Sequence, residues 1–206
     1  MNPLFSALYE RYEARFSEIE RQACGANGQK DKDLVFMRFC LEAAQDAAAL
    51  GEVPIAALLV DPNGRILGLR VNEREHSFSP FAHAESLVIQ ACCEQLKTWR
   101  LEQMTLYVSL EPCMMCCGAI SQARVGRLVY AAPDPKAGFV QSQAQLLDSP
   151  IRGHRVNYVG GILEDTSSHL LKDFFQGLRA RNQQIKHELG STQARKAQAK
   201  AGKKPL

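Results

Sequence analysis

A chain of 206 residues with 46% hydrophobic side chains suits one domain with appendages and can bury a substantial core. No apolar run approaches the roughly 20 residues of a bilayer span, the N-terminus lacks the basic and apolar blocks of a secretory signal, and seven cysteines, an odd number, suit a reducing compartment better than a disulfide framework; a membrane protein and a secreted scaffold are thereby excluded, and a cytoplasmic location is expected. The formal net charge of +3 is uneven: five of the 25 basic residues lie in the acid-free stretch 190–206, which leaves 20 bases against 22 acids, a net charge of −2, in the rest, so composition gives a nucleic-acid partner no support.

Residues Leu4 to Ala23 carry Leu4, Leu8, Tyr12, Phe16 and Ile19 at helical spacing among Glu and Arg. This stripe predicts one extra helix, packed on the domain or on a second subunit, with a membrane-surface or partner helix as the alternative. Gly25 to Asp33, GANGQKDKD, reads as a flexible connection. A helix follows from about Asp33 to Leu50, with Phe36, Phe39, Cys40, Ala43, Ala44 and Ala47 on its apolar side and Gly51 as its stop. Ile55 to Val60 and Ile66 to Asn72 are strand-like, and the Pro-Asn-Gly between them predicts a hairpin.

Pro80 precedes a helical run with Leu87, Val88, Ala91 and Leu96 on one face. Thr105 to Leu110 then reads as a strand that ends at a second helix, which Pro112 opens as its first residue. Further strands are expected at Gly126 to Ala131 and near Arg155 to Val159. About five strands alternating with helices predict an α/β fold, a three-layer α/β/α arrangement with a mixed sheet flanked by helices. A long amphipathic helix, about Thr166 to Leu189, carries Leu170, Leu171, Phe174, Phe175 and Leu178, then Arg179, Arg181 and Lys186. The stretch 190–206 has no apolar periodicity and reads as a basic, disordered tail able to add salt-sensitive attraction to phosphates. The expected division is residues 1–32 as an appended helix and linker, 33–189 as the catalytic domain, and 190–206 as the tail.

Chemistry concentrates in FAHAE, Phe81 to Glu85, and SLEPCMMCCGA, Ser109 to Ala119. Cys113 and Cys116 are three apart and share a helix face, and a helix N-terminus favours their thiolate form. His83 and Glu85, two apart, point roughly 200° away from each other inside a helix and can serve one site only at a helix start. Taken singly, the cysteines also fit a redox pair or buried small residues, and His83 a helix cap. Taken together, His83, Cys113 and Cys116 make a three-ligand zinc set whose fourth position is left to water, with Glu85 as the carboxylate that carries the proton.

The H-x-E and P-C-x-x-C pattern resembles the signature of the zinc-dependent nucleobase deaminases. GEVPIAALLV, NEREHSFSPFAHAE, TLYVSLEPCMMCCGAI, GRLVYAAPDPKAG, HRVNYVGGIL and LLKDFFQGLRARNQQIK are similar to the bacterial tRNA-specific adenosine deaminases, over about Asp33 to Leu189. The resemblance implies a cytidine deaminase-like fold, one zinc ion per subunit, a homodimer, and hydrolytic deamination of adenosine to inosine at the wobble position of a tRNA anticodon loop. It further implies that Asn72 and the backbone N–H of Ala84 orient the purine, and that Phe174, Arg179 and Arg181 lie near the RNA. Asn72 also fits a strand-end turn residue, and the basic end of the last helix also fits a solvated C-terminus. Two departures flank the pocket: the family's usual Asp-Pro-Thr-Ala-His-Ala-Glu is Ser79-Pro80-Phe81-Ala82-His83-Ala84-Glu85 here, and its Ala-Gly-Ser after the Lys-x-Gly turn is replaced by Gly138-Phe139-Val140-Gln141-Ser142. The alternatives are a free-base deaminase of the guanine type and a noncatalytic RNA-binding subunit on the same fold, the latter disfavoured by the presence of Glu85.

Overall fold

In the computed structural model, which describes residues 3–149 and 154–201 and side chains through residue 186, the predicted strands form one five-stranded sheet in the order β2-β1-β3-β4-β5. The hairpin is β1 (Ala56–Val60) and β2 (Ile66–Val71), antiparallel and closed by a turn in which Asp61 Oδ1 accepts from the N–H groups of Asn63 and Arg65, both at 2.9 Å. Gly64 stands at φ +82° in this turn, which a side chain would resist. β3 (Thr105–Leu110) runs antiparallel to β1, and β4 (Arg127–Ala132) and β5 (Asn157–Val159) continue parallel to it.

Side-chain alternation explains why both faces are covered. Ala56, Leu58 and Val60 of β1, Tyr107 of β3, and Val129 and Ala131 of β4 enter one core, with α1 (Pro3–Glu13), α2 (Phe16–Cys24) and α3 (Gln29–Ala49). Ala57 and Leu59, Leu106 and Val108, and Leu128 and Tyr130 enter the other, with α5 (Ala84–Leu96) and α6 (Met114–Gln122). The three-layer α/β/α expectation holds. The predicted apolar side of α3 is buried throughout, Phe36, Phe39, Cys40, Ala43, Ala44 and Ala47 each being 2% exposed or less.

Several sequence expectations are corrected. The stripe from Leu4 to Ala23 is two helices, broken at Ala14 and Arg15, and Phe5 and Tyr9 replace the solvent-facing Leu4 as core contacts. The expected flexible connection shrinks to Gly25–Gly28, because α3 begins at Gln29, whose amide donates to Asp33 one turn on, at 2.9 Å. The boundary expected between residues 32 and 33 therefore falls inside α3. A short helix that no periodicity announces, α4 (Arg74–Ser77), stands between β2 and α5. The last helix, α7, runs Glu164–Ala201 and takes in most of the stretch expected to be disordered, where Ala, Gln, Lys and Arg are good helix formers; residues 202–206 lie outside the described residues. The chain divides into a compact body through Leu170 and a second unit from Leu171, in which the rings of Phe174 and Phe175 meet edge-on at 5.5 Å. Among the described residues no helix is long and apolar enough to cross a membrane.

Candidate active site

Two helix starts carry the predicted zinc set. His83 is the N-cap of α5, in extended conformation (φ −79°, ψ 147°), so Glu85 two residues on belongs to the first turn while His83 still has loop geometry. Cys113 is the N-cap of α6 (φ −72°, ψ 173°), and its carbonyl accepts the first helical bond from Cys117 N–H at 2.8 Å. Pro112 therefore stands one residue before the cap instead of opening the helix, and Cys113 and Cys116 occupy the cap and the third helical position. Both sulfurs lie where backbone N–H groups lack helical partners.

Among the described residues, the Nδ1 of His83 and the Sγ atoms of Cys113 and Cys116 lie within 4.8 Å of one another. His83 Nδ1 is 3.6 Å from Cys113 Sγ and 3.5 Å from Cys116 Sγ. Bond lengths of about 2.3 Å to sulfur and 2.0–2.1 Å to nitrogen at tetrahedral angles place those atoms about 3.6 Å apart. The donor set fits zinc. The thiol of Cys116 donates to Cys113, and this, with His83, holds the Cys113 thiol down at about 4 against its burial. Cys116 is pushed upward because it keeps the proton the two share and is buried. A bound cation takes the place of that proton and makes both thiolates.

Glu85 is 4% exposed. Burial and the neighbouring Cys113 raise its pKa, partly offset by its own backbone N–H and by His83; a bound cation acts in the lowering direction. Asn72 follows β2, buried, its Nδ2 donating to Glu52 Oε2 at 2.7 Å. Ala84 is the first residue of α5, so its N–H is one of those without an intrahelical partner. Of the two bulky departures, Phe81 stands 70% exposed in the turn before His83, whereas Phe139 is half-buried against the second core. Phe174, Arg179 and Arg181 belong to α7 beyond Leu170, in the second unit.

Motif reading assigns no role to Glu111, which the structure makes an organiser. Its Oε1 accepts from the N–H groups of Val140 (3.1 Å), Gln141 (2.7 Å) and Ser142 (2.9 Å), and its Oε2 from Asp134 N–H (2.9 Å) and the Ser142 hydroxyl. Burial pushes its pKa up, and these donors outweigh that and hold it below the ordinary glutamate range. The loop so gathered is seated on the cysteine turn: Phe139 N–H donates to the Pro112 carbonyl at 2.9 Å, and Gly138 bridges to Cys113. A β-carbon at Gly138 would stand 2.3 Å from Glu111 Oε2 and 2.7 Å from the Asp134 carbonyl. Because Glu111 is pinned, Gly138→Ala is expected to cost about 1–3 kcal/mol by overpacking and to speed zinc loss to a chelator. Denaturant melts and zinc release followed with a colorimetric chelator would measure both. The only sequence signal is a lone acid between an apolar strand and Pro-Cys.

A family model, the cytidine and deoxycytidylate deaminase zinc-binding region, matches residues 30–132. The chain is 41% identical over 158 residues to a tRNA-specific adenosine deaminase of Bacillus subtilis (strain 168), covering 77% of this chain and 98% of that protein. To the tRNA-specific adenosine deaminase of Haemophilus influenzae it is 38% identical over 154 residues, 75% of this chain and 89% of that one. A solved structure from a study of A-to-I editing by tRNA:A34 deaminases at the wobble position superposes with a TM-score of 0.63 at 41% identity, over 66% of this chain and 98% of the other. A guanine deaminase from Nitrosomonas europaea shares the fold, with a TM-score of 0.61 at 23% identity over 68% of this chain and 83% of that one. With a family model matched over residues 30–132 and 41% identity across nearly the whole of the Bacillus subtilis protein, the chain belongs to the zinc-dependent cytidine and deoxycytidylate deaminase family, among the tRNA-specific adenosine deaminases.

Proposed function

We propose that this protein hydrolyses the 6-amino group of adenosine at the wobble position of a tRNA anticodon loop, leaving inosine. The observation that carries the chemistry is the His83–Cys113–Cys116 triangle with a buried carboxylate, Glu85, two residues from the histidine. The substrate rests on the 41% identity to the Bacillus subtilis protein. A loop is a suitable target because its bases can be extruded at low unstacking cost.

His83, Cys113 and Cys116 hold the zinc ion, which when bound supplies a water activated at neutral pH. Glu85 accepts the proton of that water as its oxygen adds to C6 of the purine, and passes it to the ring nitrogen N1. A second transfer through Glu85, carrying the proton of the new C6 hydroxyl to the amino group, lets ammonia leave as the C6 carbonyl forms. Glu85 thus ends each turnover ionised, and one water is exchanged for one ammonia. Asn72 and the N–H of Ala84 orient the base. Phe174, Arg179 and Arg181 contact the RNA outside the pocket, where Arg guanidinium groups suit phosphates and an aromatic ring suits an unstacked base. A homodimer in the cytoplasm completes the reading, and seven unpaired cysteines accord with a reducing compartment.

The test is ammonia release and inosine formation by zinc-loaded protein, run in parallel on an anticodon stem-loop with adenosine at the wobble position and on free guanine, adenine and cytosine. Inosine in the stem-loop, with no turnover of free bases, is expected. Turnover of guanine alone would overturn the RNA assignment and keep the chemistry of Glu85.

A further inference from the structure

The helix α1 lies ahead of the family-model match, yet it packs on the chain around Asn72. The Tyr9 hydroxyl donates to Glu73 Oε1 at 2.5 Å and accepts from Val71 N–H at 3.4 Å, so one side chain of α1 holds the residues on both sides of Asn72. Phe5, fully buried, sets its ring edge-on to His76 at 5.2 Å. His76 in turn approaches Glu52 twice: its backbone N–H donates to Oε1 at 2.8 Å, and its Nδ1 lies 3.0 Å from the same oxygen. The other oxygen of Glu52 takes the Asn72 amide at 2.7 Å. Glu52 is wholly buried, and its two oxygens are thus divided between α4 and Asn72.

That arrangement fixes which way the Asn72 amide faces. Turned over, its Oδ1 would meet the carboxylate of Glu52, two acceptors with no proton between them. With one amide hydrogen given to Glu52, Asn72 keeps its Oδ1 and its second amide hydrogen for other partners.

We infer that Glu52 and the Tyr9 hydroxyl of α1 are positioning groups that hold Asn72 in a single orientation for the purine, so that the appended helix serves the base subsite. This rests on the reading of Asn72 as a base contact. Glu52→Gln leaves one acceptor oxygen where two are used, so the variant must release Asn72 or α4, or turn the Asn72 amide over so that its Oδ1 accepts from the new amide. Phenylalanine at position 9 keeps the ring in its core and loses only the hydroxyl.

The test is a pair of double-mutant cycles on the full-length, zinc-loaded protein with the stem-loop substrate, alongside spectra of ¹⁵N-labelled protein in which the Asn72 side-chain amide is assigned by its disappearance in Asn72→Ala. Glu52→Gln is expected to lower kcat/KM roughly 10- to 100-fold, because Glu52 holds the Asn72 amide directly, and Tyr9→Phe about threefold to tenfold, because its hydroxyl acts on Asn72 only through the neighbours Val71 and Glu73. In the Asn72→Ala background each should change kcat/KM by less than about twofold, because a group acting through Asn72 has nothing left to position. Zinc content should stay at one per chain, and the Asn72 amide resonance should shift in both variants.

Equal losses with and without Asn72 would overturn the inference, as would an amide resonance indifferent to Glu52→Gln. If Asn72→Ala leaves stem-loop kinetics unchanged while the resonance still responds to Glu52→Gln and Tyr9→Phe, the clamp stands and the base-contact reading falls. The resonance also decides for or against the clamp if the stem-loop is not turned over at all.

Discussion

Glu85→Gln is expected to lower kcat on the stem-loop by a factor of about 10²–10⁴, the range that a positioned general acid–base contributes, while the protein retains one zinc ion per chain. The glutamine amide has the shape of the carboxylate and can still hydrogen-bond, but it cannot accept a proton from water and return it to the purine. Zinc should stay because Glu85 stands outside the triangle of His83, Cys113 and Cys116. Its burial, 4% exposed, makes the substitution informative: no solvent route replaces it, and an uncharged amide costs less to bury than the carboxylate does. Single-turnover rates separate the chemical step from product release, and metal analysis of the same preparation shows whether the ion remained. Wild-type kcat with zinc bound would rule out Glu85 as the proton shuttle. A fall in kcat at unchanged stem-loop affinity places the lost interaction in the transition state.

Particular residues show how much of this was legible in the sequence. His83, Glu85, Cys113 and Cys116 were readable because zinc demands few residue types at short spacings, and helix starts follow from local signals. Strands alternating with helices likewise pointed to a mixed sheet covered on both faces. Glu52 and Glu111 were not readable, since their partners are backbone N–H groups and side chains 20 to 31 residues away, and no local pattern encodes a carboxylate filled from that distance. The N-terminal break at Ala14 and Arg15 escaped for another reason: Leu4, Leu8, Tyr12, Phe16 and Ile19 keep helical spacing through it, so periodicity sees one stripe where tertiary packing makes two.

Asp33 shows the same limit, and its replacement is the larger test of stability. The sequence marks it as a helix start; the structure sets it one turn inside α3, 3% exposed. Its Oδ1 accepts from Gln29, from the Tyr107 hydroxyl at 2.8 Å and from Arg127 Nη1 at 2.8 Å, and its Oδ2 from Arg127 Nη2 at 2.6 Å. One carboxylate therefore ties α3 to β3 and β4. Asp33→Ala leaves a largely buried guanidinium and a buried phenol without their acceptor, and the expected cost is about 3–5 kcal/mol, a large part of a total stability of roughly 5–15 kcal/mol. Burial raises the Asp33 pKa, but Arg127, Gln29 and Tyr107 outweigh it, and the folded-state value lies below the ordinary one. The stabilisation is then fully present above the unfolded value of about 3.9 and is lost as pH falls through the folded value. Urea melts of wild type and Asp33→Ala should differ most near neutral pH and converge in acid. Zinc loss in acid, as the thiolates protonate, is common to both proteins and drops out of the difference. A gap that stayed constant from neutral pH into acid would mean that Asp33 stabilises through packing alone and that its charge contributes nothing.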